Sequence, residues 1–257
     1  LLPDFLSQLP ACAEDRKVAA DCTPSNLHMT PMPFDAKSTG FAYGDLCGPD
    51  LPYTNLPWML RRVYGSSSSR LAFVVNLREP LHRMQSAWYH AMQIDFLSVC
   101  RDCKALSFVE GLAMTLDRFE RSPPMYDDWL WQSMPSLQLP WWHSEFDARQ
   151  LFVLGTHEYG RSGFRLLCEA LEPFLGVDWD CEATRKDTHA NTHHHPSLSE
   201  EPISAALERQ FNRTFEPDTH RLVKELASLQ SQGATLVGYQ GAAGSVRDVE
   251  AWLRQAW

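Results

Sequence analysis

An arginine that directly follows an apolar run, with a serine further on, is the feature of this sequence most suited to ligand chemistry. Arg78 directly follows the run Leu71-Ala-Phe-Val-Val-Asn-Leu77, and Ser86 comes eight residues after Arg78. In an open parallel sheet, ligands bind beyond the carboxyl ends of the strands, next to the helices that follow. A guanidinium group there offers forked donors that suit a phosphate, and a hydroxyl can add one more hydrogen bond. The spacing leaves a second interpretation open, in which Arg78 pairs with a neighbouring acid and Ser86 only packs.

A histidine-rich segment, Thr188-His-Ala-Asn-Thr-His-His-His-Pro196, is the second candidate site. His189 and His193 are four residues apart, and imidazoles are common ligands of transition metals. A solvated loop that binds nothing is the other interpretation of the same pattern. Cys100-Arg-Asp-Cys103 has the spacing of a zinc-binding pair, but zinc would need a second such pair, which the sequence lacks. We therefore assign no metal-ligating residue and keep the metal only as an alternative for the histidines.

The elements that would position these residues alternate between strands and helices. The continuous apolar run over 71–77 predicts a central strand buried on both faces, and helical spacing with Pro80 in the first turn predicts a helix over 81–92. Residues 150–154 predict a second buried strand. Further helices are predicted over 56–64, 107–121, 162–175 and 203–229, the last with a break near Pro217. The pattern predicts an α/β protein in which 71–77 and 150–154 are parallel strands of one sheet.

Several tryptophans crowd the region between residues 126 and 142. They are Trp129, Trp131, Trp141 and Trp142. Aromatic rings in such numbers form either a wall on which an acceptor stacks or part of the core, and core packing is the more common use.

Composition limits the classes of partner. The 257 residues contain 23 Lys and Arg against 32 Asp and Glu, a net charge of −9, which argues against nonspecific nucleic-acid binding. No apolar stretch approaches the roughly 20 residues of a membrane span. The seven cysteines are an odd number, so at least one thiol lacks a partner within the chain. Asn212-Arg-Thr214 is the only N-glycosylation sequon and favours a secretory lumen slightly.

The segment LAFVVNLREPLHRMQSAWYH, residues 71–90, closely resembles the part of sulfotransferases that binds the 3′-phosphate of the donor nucleotide. That family segment is an apolar strand, Arg-x-Pro, a further basic residue, Ser, and an aromatic pair before His. Three other stretches match in the same order. They are Asp21-Cys-Thr-Pro-Ser-Asn-Leu27, which resembles a Thr-Pro-Ser-Tyr-Leu turn, Gln150-Leu-Phe-Val-Leu154, which resembles a later strand, and Phe215-Glu-Pro217 with Leu222, which resembles a Phe-x-Pro-x-x-x-x-Leu helix start.

The resemblance implies a parallel-sheet, P-loop-like sulfotransferase fold with helices on both faces, over residues 1–230, followed by a C-terminal extension over 231–257. It implies that Arg78 and Ser86 bind the 3′-phosphate of 3′-phosphoadenosine 5′-phosphosulfate. It also places the histidine-rich segment where the family has a nucleotide-binding loop, so that Asn191, Thr192 and His193 become candidate nucleotide ligands. Asp21 and His28, near the matching turn, are the candidates for the general base.

The expected function is the transfer of a sulfuryl group from this donor to a hydroxyl or amine acceptor, of which a carbohydrate is the expected class. The expected location is the Golgi lumen or the secretory pathway, with the cytoplasm as the alternative. Two departures from the family stand out: no Lys-x-Gly-Thr-like loop for the 5′-phosphosulfate opens the chain, and Cys22 stands where related carbohydrate sulfotransferases have Lys. We interpret the first as a missing first strand and loop. A non-catalytic nucleotide- or partner-binding module with the same fold is the alternative function.

Overall fold

The computed structural model describes residues 55–93, 106–121, 130–178, 181 and 196–257. These residues form seven helices and three strands. In chain order they are α1 (Leu56–Tyr64), β1 (Phe73–Leu77), α2 (Pro80–Gln93), α3 (Phe108–Arg121), α4 (Leu139–Glu145), β2 (Leu151–Gly155), α5 (Thr156–Leu175), α6 (Ala205–Ser231), β3 (Thr235–Leu236) and α7 (Val246–Ala256). Short 3₁₀ turns at Gly65–Arg70, Trp131–Ser133, Pro135–Leu137 and Ala148–Gln150 complete them.

The three strands form one small parallel sheet in the order β1-β2-β3. Phe73 is opposite Leu151 and Leu77 is opposite Gly155, so β1 and β2 end at the same edge. The predicted α/β class, the two parallel strands and the helix after the first strand are therefore confirmed. The predicted end of the helix before Gly176 is confirmed as well, because Gly176 adopts the left-handed conformation at φ 64° that terminates α5.

Strand β1 differs from the expectation of a strand buried on both faces. Val75 and Leu77 are buried, but Val74 is 52% exposed and Asn76 is exposed. Every residue of β2 is buried. Within the described ranges β1 pairs on one edge only, whereas β2 lies between two strands. An apolar run is compatible with either position, so composition alone does not distinguish an edge strand from a central one.

Two of the buried clusters hold the helices against the sheet and against one another. Leu77 and Val153 pack with Leu222 of α6 and Trp252 of α7 in the first cluster. The second cluster joins α2, α3 and α6. Its members include Met84, Trp88, Phe108, Leu112 and Phe211. Helix α2 is thus fixed by its apolar face, which determines where its polar residues lie.

One of the four tryptophans belongs to the core. Trp142 is 5% exposed, and its ring lies 5.1 Å from that of Phe73 and 6.3 Å from that of Phe146. The core interpretation is confirmed for this residue. Trp141 is half-buried, and the side chains of Trp129 and Trp131 lie outside the described part of the chain.

The predicted break near Pro217 is wrong, because α6 continues through this proline. A proline inside a helix costs about 3 kcal/mol, since it removes one hydrogen bond and crowds the preceding turn. Phe215 is buried in the second cluster and Leu222 in the first. A break in the helix between Phe215 and Leu222 would pull one of them out of its cluster. The packing of both side chains therefore offsets the free-energy cost of the proline.

The segment after residue 230, expected as an extension, adds β3 and α7 to the same sheet and core. The end of α7 lies directly against the end of β2. A Cβ atom on Gly155 would come within 2.2 Å of the carbonyl oxygen of Ala256. Only glycine permits this approach, so the carboxyl end of β2 is covered by the C-terminal helix.

Candidate anion-binding site at the end of strand β1

The turn from β1 into α2 is fixed by Glu79. Its carboxylate accepts hydrogen bonds from the backbone N–H groups of Leu81 at 3.1 Å and His82 at 2.7 Å. Pro80 begins the helix, where its missing N–H is not needed. Glu79 therefore occupies the amide donors of the first turn of α2. An anion at this end of the sheet would have to be bound by side chains.

Arg78 lies at the carboxyl end of β1 and is half-buried. Burial lowers the pKa of its guanidinium, although the charge of Glu79 acts in the opposite direction. In the ranges that the structure describes, Arg78 has no hydrogen-bond or salt-bridge partner. The neighbouring acid is Glu79, and its carboxylate is hydrogen-bonded to the helix backbone and to the His82 ring. These hydrogen bonds do not support the interpretation in which Arg78 pairs with an acid.

A second arginine, Arg83, lies on α2 within electrostatic range of Arg78. Burial is the main cause that lowers the pKa of Arg83 to about 10, and the positive charge of Arg78 lowers it further. Its guanidinium donates to the hydroxyl of Ser133 at 3.0 Å and to the side-chain oxygen of Gln132 at 3.4 Å. Both of these partners are neutral. Two desolvated guanidinium groups thus lie near one another without a carboxylate bound to either in this described region.

Ser86 lies on α2 one turn after Arg83 and is half-buried. It is three residues from Arg83, so the two side chains lie on the same side of the helix. Sequence reasoning selected Arg78 and Ser86 but missed Arg83. Arg83 lies in the same predicted helix as Ser86 and supplies the further basic residue of the segment over 71–90. That position could have identified it.

The ends of β1 and β2 are joined by polar contacts that sequence reasoning also missed. The hydroxyl of Thr156 donates to the side-chain oxygen of Asn76 at 2.9 Å and lies 3.1 Å from the carbonyl of Leu77. These contacts hold the first residue of α5 against β1. They fix the sheet edge immediately before Arg78.

The chain that follows the histidine-rich segment is attached to α2 at two points. The buried amide of Gln85 donates to the carbonyl oxygen of Pro196 at 3.0 Å, and the hydroxyl of Tyr89 is hydrogen-bonded to Glu201. Burial and the Glu201 carboxylate raise the pKa of Tyr89. Pro196, the last residue of that segment, is therefore next to the helix that carries Arg83 and Ser86.

The other predicted site residues lie outside the described residues. They are Asp21 and His28, proposed for catalysis, and Asn191, Thr192 and His193, proposed for the nucleotide. Their roles stay predictions. The same holds for the metal alternative at His189 and His193.

A polar depression of about 530 Å³ lies at the opposite, amino end of β2. It is lined by His143, Phe146, Asp147, Ala148, Arg149 and Gln232. Its charged groups are already paired: Arg149 lies 2.7 Å from Asp147, and the Nδ1 atom of His143 lies 3.3 Å from Glu225. This depression offers no unsatisfied charge to a ligand.

Comparison of the chain with models of known families, with curated proteins and with solved structures finds no match. None of the helices in the described ranges has the length and apolar character that a membrane span requires. The assignment of the site therefore depends on its own residues and contacts.

Proposed function

We propose that the chain binds 3′-phosphoadenosine 5′-phosphosulfate and transfers its sulfuryl group to a hydroxyl or amine, with a carbohydrate as the acceptor class. The observation that carries this proposal is the pair Arg78 and Arg83, two partly buried cations at the carboxyl end of β1 whose charges interact with one another. Burying like charges together is costly unless a counter-charge is supplied. A bound phosphate would supply it.

The chemistry of the pair suits the 3′-phosphate. A phosphate that carries about two negative charges can accept forked hydrogen bonds from both guanidinium groups. Ser86 would donate one more bond from the same helix. The resemblance of residues 71–90 to the 3′-phosphate segment of sulfotransferases supports this ligand, and it supports a sulfotransferase-type sheet as the finer description of the fold.

In the proposed reaction, the acceptor oxygen or nitrogen attacks sulfur in line, and the bond from sulfur to the 5′-phosphate oxygen breaks. The proton of the acceptor goes to a general base, for which Asp21 and His28 are the candidates. Holding the donor in line and neutralising its charge would be the main tasks of the protein, as in phosphoryl transfer. Arg78, Arg83 and Ser86 would hold the nucleotide end of the donor.

A lumenal location is part of the proposal. Cys168 of α5 is bonded to Cys181, with the Cα atoms 5.7 Å apart. Disulfides persist in the lumen of the secretory pathway and are rare in the cytosol. The bond supports the Golgi or secretory alternative over the cytoplasmic one.

A non-catalytic nucleotide-binding module is the second candidate, because Arg78, Arg83 and Ser86 would serve nucleotide binding alone equally well. The two candidates share the Arg78 site and differ in whether sulfuryl transfer occurs.

The test uses the product of the full-length reading frame, a donor labelled with radiosulfur and a panel of glycan acceptors. We expect label in at least one glycan, and a lower kcat/KM in Arg78→Ala but not in Arg149→Ala, which changes the paired arginine at the opposite end of the sheet. Nucleotide binding without transfer to any acceptor would favour the module. Absence of nucleotide binding would contradict both.

A further inference from the structure

The glycosylation sequon occupies the solvent-facing side of α6. Asn212 is exposed, and so are Arg213 and Glu216 next to it on the helix. Phe211 and Phe215 point the other way and are 5% and 2% exposed in the second buried cluster. A large group attached to the Asn212 side chain would extend into solvent and would leave the core packing unchanged.

The hydroxyl of Thr214 is engaged in the folded helix. It donates to the backbone carbonyl of Gln210 at 3.1 Å, a common bond from a helical threonine to the residue four positions earlier. The backbone of the sequon is helical at the same time. Since the sequon is recognised through its asparagine amide and its hydroxyl together, the folded helix presents a poor substrate. Modification would have to precede the folding of α6.

A second, independent observation concerns the compartment. The disulfide Cys168–Cys181 has one sulfur fully buried, since Cys168 is 0% exposed. Compartments that sustain such a bond are oxidising, and in eukaryotic cells the endoplasmic reticulum is both oxidising and the place where N-linked glycans are added.

From the exposed sequon and the disulfide, we propose that Asn212 carries an N-linked glycan that is added before α6 folds. In the step, the side-chain amide nitrogen of Asn212 forms a bond to the anomeric carbon of an oligosaccharide carried on a lipid pyrophosphate. The bond from that carbon to the pyrophosphate oxygen breaks, the lipid pyrophosphate leaves, and one amide proton is lost to solvent. No change of oxidation state occurs.

The glycan would lie away from the proposed nucleotide site. The buried side of α6, through Phe211 and Phe215, belongs to the same buried cluster as Met84 and Trp88 of α2, the helix that carries Arg83 and Ser86. Asn212 is on the other side of α6. The inference shares the lumenal location with the sulfotransferase proposal but does not depend on the nucleotide site, so a failure of nucleotide binding would leave it intact.

The test is peptide mass spectrometry of the full-length gene product made in mammalian cells, after an amidase that removes N-glycans and converts the carrier asparagine to aspartate. We expect this conversion at position 212 in the wild type and in Thr214→Ser, which keeps the sequon. It should be absent in Asn212→Gln and Thr214→Ala, while Thr219→Ala, one turn away and outside the sequon, should behave as the wild type.

A second measurement tests the order of events. Purified oligosaccharyltransferase with its lipid-linked donor should modify the reduced, unfolded chain and leave the folded chain unmodified. An unmodified Asn212 in wild-type protein, whether Cys168 and Cys181 are found bonded or reduced, would overturn the proposal. Equal modification of the folded and unfolded chains would overturn the proposed order.

Discussion

The two ends of the sheet use the same kinds of charged residue in opposite ways. At the amino end of β2, the Asp147 carboxylate accepts a hydrogen bond from Arg149 that holds the pKa of Asp147 well below its usual range, and both side chains are exposed. At the carboxyl end of β1, Arg78 and Arg83 are partly buried, lie near each other and have no carboxylate bound to them in the described ranges. The first pair is complete by itself, while the second is the one that we propose to bind an anion.

Burial and pairing of a charged side chain, rather than its residue type, therefore indicate where a ligand binds. An exposed arginine–aspartate pair contributes little to stability and little to recognition. A buried arginine without an acid retains its desolvation cost until a ligand arrives.

Asp218 extends the contrast to an acid. It is 1% exposed, accepts a hydrogen bond from Ser136 and lies 3.8 Å from Arg221. Burial dominates over these contacts and raises the pKa of Asp218 from 3.8 to about 6. Folding therefore favours the neutral form of Asp218 over the ionised form, relative to the unfolded chain. The contribution of Asp218 to the free energy of unfolding is complete below pH 3.8 and is lost as the pH rises through about 6.

We expect Asp218→Asn to raise the free energy of unfolding at pH 7 by up to about 3 kcal/mol, and to have a much smaller effect at pH 4. Denaturant unfolding of both proteins at the two pH values measures this. Asp147→Asn, at the exposed pair, is the control. An Asp218→Asn protein that is less stable than the wild type at pH 7 would show that the ionised carboxylate is favoured in the folded protein.

Arg78→Ala should weaken the binding of 3′,5′-bisphosphoadenosine by about tenfold to a hundredfold, since a hydrogen bond to a charged group contributes roughly 1.5–3 kcal/mol. Arg78→Lys should restore only part of the affinity, because a point charge cannot reproduce a forked contact. Isothermal titration calorimetry gives each dissociation constant. Equal affinity in wild type and Arg78→Ala would remove Arg78 from the site.

Much of this frame could be predicted from the sequence. The apolar run before Arg78 and the helical spacing after Pro80 correctly predict β1 and α2, because local periodicity determines both. The exposed side of β1 and the continuous α6 through Pro217 could not be predicted, since each depends on neighbours that are distant in sequence. The two-residue strand Thr235–Leu236 is too short to leave a pattern.

The candidate site was predictable only in part, for a related reason. In the sequence, Arg83 and Arg149 look alike, and each has acids and polar residues nearby. Only the fold shows that Arg149 pairs with Asp147 in solvent while Arg83 is partly buried and bonded to Ser133 and Gln132. Burial depends on tertiary packing, so it cannot be inferred from the residue type.

Ser86→Ala should have a smaller effect than Arg78→Ala. The variant loses one neutral donor, worth about 1 kcal/mol, so the affinity for 3′,5′-bisphosphoadenosine should fall by less than tenfold. The same calorimetric titration measures it. A loss as large as that of Arg78→Ala would mean that Ser86 does more than donate one hydrogen bond.

Arg149→Ala should have the smallest effect on binding. The residue lies at the far end of the sheet and its guanidinium is exposed and paired, so the nucleotide affinity should equal that of the wild type. Calorimetry and thermal unfolding should both give values close to those of the wild type. A weaker affinity in this variant would mean that the overall charge of the chain, and not the site at β1, controls binding.

We propose that Arg78 and Arg83 bind a 3′-phosphate. The most direct test compares the affinities of the protein for two nucleotides that differ only in this group. Calorimetric titration should show that the wild type binds 3′,5′-bisphosphoadenosine at least about tenfold more tightly than adenosine 5′-monophosphate. In the Arg78→Ala/Arg83→Ala double variant the preference for the 3′-phosphate should shrink to what the single hydrogen bond of Ser86 supports, less than about tenfold. A wild type that does not distinguish the two nucleotides, or a double variant that keeps the full preference of the wild type, would contradict the assignment of the 3′-phosphate to Arg78 and Arg83.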